Sequence, residues 1–331
     1  MKICRTLTTQ MLELLQHSAS FTTSKPSYVY FEEQCNRFKK VPKPKFLLEE
    51  TMEILPFEVT HLPEQYRVKL EKELNETTEN KAKCLQELKI LLKGEKTTKH
   101  IEFEDDFLQQ YLRHSKYDTT VASIKVRNFT ALKRKHGWLF QSIEFQFTQN
   151  LSSKYACFLP YRCPDGYCIS FLQLGKWNPE ELTFEDFARI SFIMNLQLIR
   201  FPLSQITGVK TIVDCKNTGL RHLKYCTLQN IILLYNVTME CFPLNYSDIH
   251  VINQSSLMTL VWKMAKPILP EFVKNMFIFH SSTEELFDFF PRSVIPKKYR
   301  GELVDYYSSN WLMKANEQQK TFPEGGQRNR D

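Results

Sequence analysis

From about residue 155 to residue 280, runs rich in β-branched and aromatic side chains alternate with helical stretches, and few folds accommodate that alternation. Strand candidates fall at Tyr155–Leu159, Tyr167–Leu174, Val209–Val213, Ile249–Ile252 and Met276–His280. Helical patterns at 183–200, 221–240 and 255–269 separate the later ones. A parallel pair of strands needs a long crossover, and a helix is the usual one, so the later strands are expected to pair in parallel. Pro164-Asp165-Gly166 lies between the first two candidates and is a turn signal, so that pair is expected to be antiparallel. The fold class expected is α/β: a mixed sheet with helices packed on it.

Upstream the texture is helical. Pro63 suits a first helical turn, and Leu70, Leu74, Leu85, Leu88 and Leu91 recur at helical spacing up to Gly94. Asp105–Ser115 and Asp118–Lys135 read as two further helices, the last closed by Gly137. The expected boundaries are an N-terminal extension over 1–56, a helical domain over 57–137, an α/β domain over 138–316 and a tail over 317–331. The extension holds a Ser/Thr-rich stretch at 18–24 and the basic, proline-bearing run Lys39–Lys45. Met52 is an equally good start for the folded part.

Several chemistries leave no trace. The nine glycines compose no GxGxxG, P-loop or GxSxG, and the eight histidines form no HExxH. No Asp/Glu/His group has the spacing of a calcium or zinc loop. The nine cysteines are odd in number and scattered, without a CxxC. Cys163 and Cys168 flank the hairpin turn and could approach each other, although free thiols are the expectation. No catalytic residue, metal or cofactor is therefore expected, and the chain is not expected to be an enzyme.

No stretch approaches 18 uninterrupted apolar residues, so the chain is expected to be soluble and intracellular. A net charge of +7 suits attraction to anionic surfaces. The clearest basic run, Lys133-Arg134-Lys135-His136 with Lys125 and Arg127 upstream, is either a solvated helix face or an anion contact.

Two helices depart from the ordinary surface pattern. The first opens at Thr183, with Asp186 three residues on as a variant capping box, and is apolar over most of its surface. Ser191 and Asn195 stand one turn apart on it, among Phe187, Phe192, Met194 and Leu198. Either this pair aims at a bound ligand, or Ser191 bonds back to the carbonyl of Phe187 while Asn195 meets solvent. The second, over about 255–269, carries a narrow polar stripe of Ser256, Thr259, Lys263 and Lys266. Leu257, Met258, Leu260, Val261, Trp262, Met264 and Ala265 cover the rest, as in a core helix or in a lid that meets a bilayer.

The ordered motifs resemble the CRAL-TRIO (Sec14-like) lipid-binding family, in particular its alpha-tocopherol transfer protein-like branch. DFLQQYLRHSKYD at 106–118, GKWNP at 175–179, and VDC at 213–215 followed by GLRHL at 219–223 carry the likeness. So do CFPL at 241–244 with IHVIN at 249–253, MAKPIL at 264–269, and FP at 290–291 with IPKKYRG at 295–301. Order and spacing hold from about residue 60 to 312.

The resemblance implies a helical N-terminal domain and an α/β domain whose sheet floors a lipid cavity. The implied cavity residues are Phe187, Ser191, Phe192, Met194, Asn195, Leu198 and Ile252. The implied gate helix contributes Leu257, Met258, Val261, Trp262 and Ile268. Arg113, Lys263, Lys266 and Lys274 fall at or near basic positions that the family uses on phosphoinositide. Departures are Asn195 where the tocopherol carrier has serine, Phe272 and Met276 where bases are usual, and Lys298 and Arg300 in the C-terminal motif. Asn217 stands where glycine is usual, and asparagine tolerates a left-handed turn. The function implied is intracellular binding and transfer of a small hydrophobic lipid, with docking on anionic or phosphoinositide membranes. The alternative is a phosphoinositide-regulated adaptor that senses lipid without transferring it. A monomer in the cytoplasm, peripherally membrane-associated and without a nucleic-acid partner, is expected.

Overall fold

Helix starts follow the capping residues. In the computed structural model, which describes residues 62–143, 150–304 and Leu312, side-chain oxygens close the first turns of five helices. Thr77 accepts from the Asn80 amide at the start of α2 (Thr78–Gly94), and Asp118 from that of Val121 at the start of α4 (Thr119–Lys135). Thr183 does so for α5 (Phe184–Ile199), Thr227 for α8 (Leu228–Tyr235) and Ser255 for α9 (Ser256–Ala265). Each bond satisfies an amide that the helix itself leaves open. The remaining α-helices among the described residues are α1 (Glu64–Leu74), α3 (Asp105–His114), α6 (Pro202–Thr207), α7 (Leu220–Leu223) and α10 (Glu271–Lys274).

Three elements differ from the sequence reading. The first helical run is two helices, because Asn75 adopts φ +58° and ends α1 before Thr77 caps α2. The 221–240 run is also broken: α7 stops at Leu223, Thr227 starts α8, and Asn236–Cys241 continues as a π-helix. Helix α6 was not anticipated; Pro202 sits in its first turn, where a missing amide costs nothing. Asn217 does take the left-handed conformation, with φ +64°. The extension expected over 1–56 and the tail expected over 317–331 lie outside the described residues.

The sheet has the order β1-β2-β3-β4-β5, formed by Ala156–Phe158, Cys168–Gln173, Val209–Asp214, Tyr246–Ile252 and Phe277–Phe279. The β1–β2 pair is antiparallel and the other three are parallel, as the alternation implied. Cys163 and Cys168 are both free thiols.

The chain forms a compact unit of Phe46–Leu269 with Val273–Asp331; the second unit, Met1–Lys45 with Pro270–Phe272, lies almost wholly outside the described residues. Within the larger unit the N-terminal helices and the sheet region share one continuous core. Phe107 of α3 packs on Phe129 of α4, which packs edge-on to Phe242, and Phe192 of α5 joins the same stack. The Tyr111 hydroxyl donates to the Cys241 carbonyl at 3.0 Å. Lys125, expected in the basic surface run, is buried instead: its ammonium donates to the Met239 carbonyl at 2.6 Å, closing the end of the π-helix.

Candidate functional site

The two faces of the sheet are treated very differently. Register alternates side chains, so Ile169, Phe171 and Gln173 share one face with Ile212, Asp214, His250 and Ile252. All of these are buried. The segment 283–303 seals this face: Tyr299 packs on Phe171 and its hydroxyl joins Gln173 and Asp214, while Phe289 and Phe290 each lie 4.7 Å from His250. His250 and His280 are bonded ring to ring at 3.0 Å.

The opposite face carries Ser170, Leu172, Thr211, Val213, Ile249, Val251, Phe277 and Phe279. Leu172, Val213, Ile249 and Phe277 are only half-buried, and Phe279 is exposed. Helix α9 lies over this face, its Trp262 ring 4.6 Å from Phe277 and 5.1 Å from Phe279. Leu257, Met258, Val261, Trp262 and, just beyond, Ile268 are all half-buried. Of the ten residues in α9 only Ala265 is buried, and Leu260 and Met264 are 48% and 47% exposed. Its neighbour α8, LQNIILLY, has no buried residue at all. Close-packed interiors hide apolar side chains almost completely. Two neighbouring helices this apolar and this open, one of them over a half-open sheet face, leave apolar surface that a partner of their own character could cover.

Polar groups are few there. Ser170 and Thr211, cross-strand neighbours on the open face, are bonded hydroxyl to hydroxyl at 2.9 Å. On α5, Ser191 does bond back to the Phe187 carbonyl, at 3.1 Å, and lies 3.3 Å from the Tyr155 hydroxyl. Asn195 is buried rather than solvent-facing, and its Oδ1 accepts from the Tyr246 hydroxyl. Its amide nitrogen has no hydrogen-bond partner among the described residues. Burial raises the pKa of Tyr155 and Tyr246, so both act as neutral donors. The hydroxyls of Ser170, Thr211, Tyr155 and Tyr246 escaped the sequence reading. Only sheet register and the docking of α5 bring them in, and neither leaves a local pattern.

The remaining candidates scatter. Phe187 stacks on Tyr155 at 4.5 Å, and Met194 and Leu198 are buried on α5. Phe192 belongs to the aromatic stack shared with the N-terminal helices, and Ile252 belongs to the sealed face, so neither joins the open-face group. Arg113 is bound into the fold: it reaches both Glu76 carboxylate oxygens at 2.6 Å and also the Gln205 side chain. Lys263 and Lys266 are exposed on α9 and its continuation, and Lys274 is half-buried. Among the described residues no group of three or more His, Cys, Asp or Glu side chains is placed to hold a metal. No described helix is long and apolar enough to cross a membrane.

Residues 152–301 match the CRAL/TRIO domain. The human protein named "Alpha-tocopherol transfer protein-like" is 24% identical over 77% of this chain and 75% of its own length. Its mouse counterpart is 23% identical over the same shares. Human "Clavesin-2" is 21% identical over 72% of this chain and 74% of its own. A solved structure, "Crystal structure of Sfh5", overlays with a TM-score of 0.47 at 10% identity, covering 74% of this chain and 98% of that one.

Proposed function

We propose, for a chain whose residues 152–301 match the CRAL/TRIO domain, binding of a small hydrophobic lipid between the open sheet face and α8–α9, and its transfer between membranes. The single observation that carries this reading is the half-buried state of two strongly apolar helices above a half-buried apolar sheet face. The curated relatives named as tocopherol-transfer-like support it. No cofactor beyond the lipid, and no catalytic step, forms part of the proposal.

Burying roughly 400 Å² of apolar ligand stabilises the complex by on the order of 10 kcal/mol before association costs. Spontaneous release into water would be slow, so release is coupled to the bilayer. When α9 swings out at a membrane, its apolar side and the cargo both stay among acyl chains. Exposed Leu260 and Met264 supply the first apolar contact, and Lys263 and Lys266 attract anionic headgroups. Asn195 offers its amide N–H to an oxygen on an otherwise apolar cargo. Residence in the cytoplasm with peripheral membrane association belongs to the same reading.

The test is direct. Lipid extracted from purified protein and identified by mass spectrometry is expected to contain a hydrophobic species, and fluorescent lipid is expected to move from donor to acceptor vesicles. Absence of any bound lipid, with none taken up from vesicles, overturns the proposal. Uptake without movement favours a lipid-sensing adaptor instead.

A further inference from the structure

Three exposed lysines gather at the carboxyl ends of β2 and β3, none of them in an ion pair among the described residues. Lys176 stands three residues after Gln173, and Lys216 two after Asp214, the pair that closes the β2–β3 ladder. The two loops touch, since a Cβ on Gly175 would lie 2.0 Å from the Lys216 carbonyl oxygen. Lys298 arrives from the turn Lys297–Tyr299, whose Tyr299 hydroxyl is bonded to both Gln173 and Asp214. Its ammonium lies 4.6 Å from the centroid of the Tyr299 ring. Burial raises the pKa of the Cys157 thiol in β1, and the charges of Lys176 and Lys298 both oppose that rise, so both lie near it.

The carboxylate at hand is turned away. Asp214 is buried; Oδ1 accepts from the Asn253 amide at 2.8 Å and the Lys216 backbone N–H at 2.9 Å, and Oδ2 from Tyr299. None of the three ammonium groups forms an ion pair among the described residues. Partial desolvation lowers the pKa of both Lys176 and Lys298, although both side chains reach solvent, and repulsion from neighbouring lysines adds to it despite Asp214. Like charges gathered this way raise the energy of the fold until a counter-charge arrives.

We propose that Lys176, Lys216 and Lys298 form a binding site for a phosphate-bearing anion, distinct from α9. The ligand is a free phosphorylated small molecule or the phosphorylated headgroup of a lipid. Lysine serves such groups as a compact point charge, and one multiply charged phosphate answers several ammoniums at once. The site does not depend on what the apolar region carries.

Two probes separate the sources: calorimetric titration of the full chain with pyrophosphate, and flotation with phosphatidylcholine vesicles with and without phosphatidic acid. At low salt at least one is expected to bind saturably. Binding should weaken by roughly tenfold or more in the triple variant K176Q/K216Q/K298Q. Pyrophosphate binding should persist in the triple Lys→Arg variant and in K263Q/K266Q. Lysine-dependent pyrophosphate binding assigns a free phosphorylated ligand, and lysine-dependent vesicle binding alone assigns a lipid headgroup. The proposal is overturned if neither probe binds, or if the triple glutamine variant, with an unchanged melting temperature, binds as well as the parent.

Discussion

Tyr246, the first residue of β4, donates its hydroxyl proton to Oδ1 of Asn195 in the middle of α5, tying the helix to the open side of the sheet. The bond fixes the amide so that its nitrogen is the group left to offer a donor. Tyr246→Phe leaves a buried acceptor unmet, and it is expected to lower stability by about 1–3 kcal/mol in urea unfolding. Asn195→Leu removes the donor as well. It should weaken uptake of hydroxyl- or carbonyl-bearing lipids while sparing pure hydrocarbons, as measured by competition with a fluorescent lipid. Equal effects on both kinds of lipid would remove Asn195 from recognition.

Membrane transfer and fold stability should separate on α9. Trp262→Asp or Met258→Asp changes half-buried positions outside the main core, so circular dichroism should be unaltered and transfer between vesicles largely lost. Phe192→Ala, inside the aromatic stack, is expected instead to cost roughly 3–5 kcal/mol of stability. Unchanged transfer in both aspartate variants would mean that α9 is not the gate.

Arg113 should behave as a structural residue. Arg113→Met leaves the largely buried Glu76 carboxylate with only the longer Lys81 ion pair at 3.6 Å and is expected to destabilise by roughly 2–4 kcal/mol, without a selective loss of vesicle binding. Burial alone would raise the Glu76 pKa, but the hydrogen bonds and charge of Arg113 outweigh it and hold it below the ordinary carboxylate value. The pair therefore contributes above that ordinary value, and its contribution fades as pH falls through the lowered one. In Arg113→Met the acid limb of the stability profile should flatten.

A second acid-sensitive element is the His250–His280 pair. Burial, then repulsion from His280, pushes His250 down to about 3, and burial lowers His280 as well. The unfolded chain then binds more protons than the folded one between about pH 6.5 and 3. Stability should decline as pH falls through that window, with a slope approaching about 1.4 kcal/mol per pH unit for His250. Urea midpoints measured across the range should show this, and His250→Phe should reduce the slope.

Strand positions, pairing directions and most helix starts were legible because they rest on local periodicity, turn chemistry and caps. Asp118, Thr183 and Ser255 all mark real helix starts. What escaped was anything set by distant register. Ile252 and Val251 differ by one residue and lie on opposite faces, which no local pattern assigns. Lys125 reads as one base in a basic run, yet the π-helix that it closes is more than a hundred residues away. Ser191 took the local bond to Phe187 that its helix always offers, whereas the partner of Asn195 came from another strand.

The half-finished face of the sheet also bears on how long the protein lasts. On the proposed function, a cargo molecule supplies the apolar surface that the chain lacks, so loading is in effect the last step of folding. A ligand present at a hundred times its Kd adds about 2.7 kcal/mol to the stability of the folded state. The empty chain would open more often and be cleared sooner. Cellular abundance would then follow the supply of lipid, with proteolysis rather than synthesis matching the number of carriers to the load.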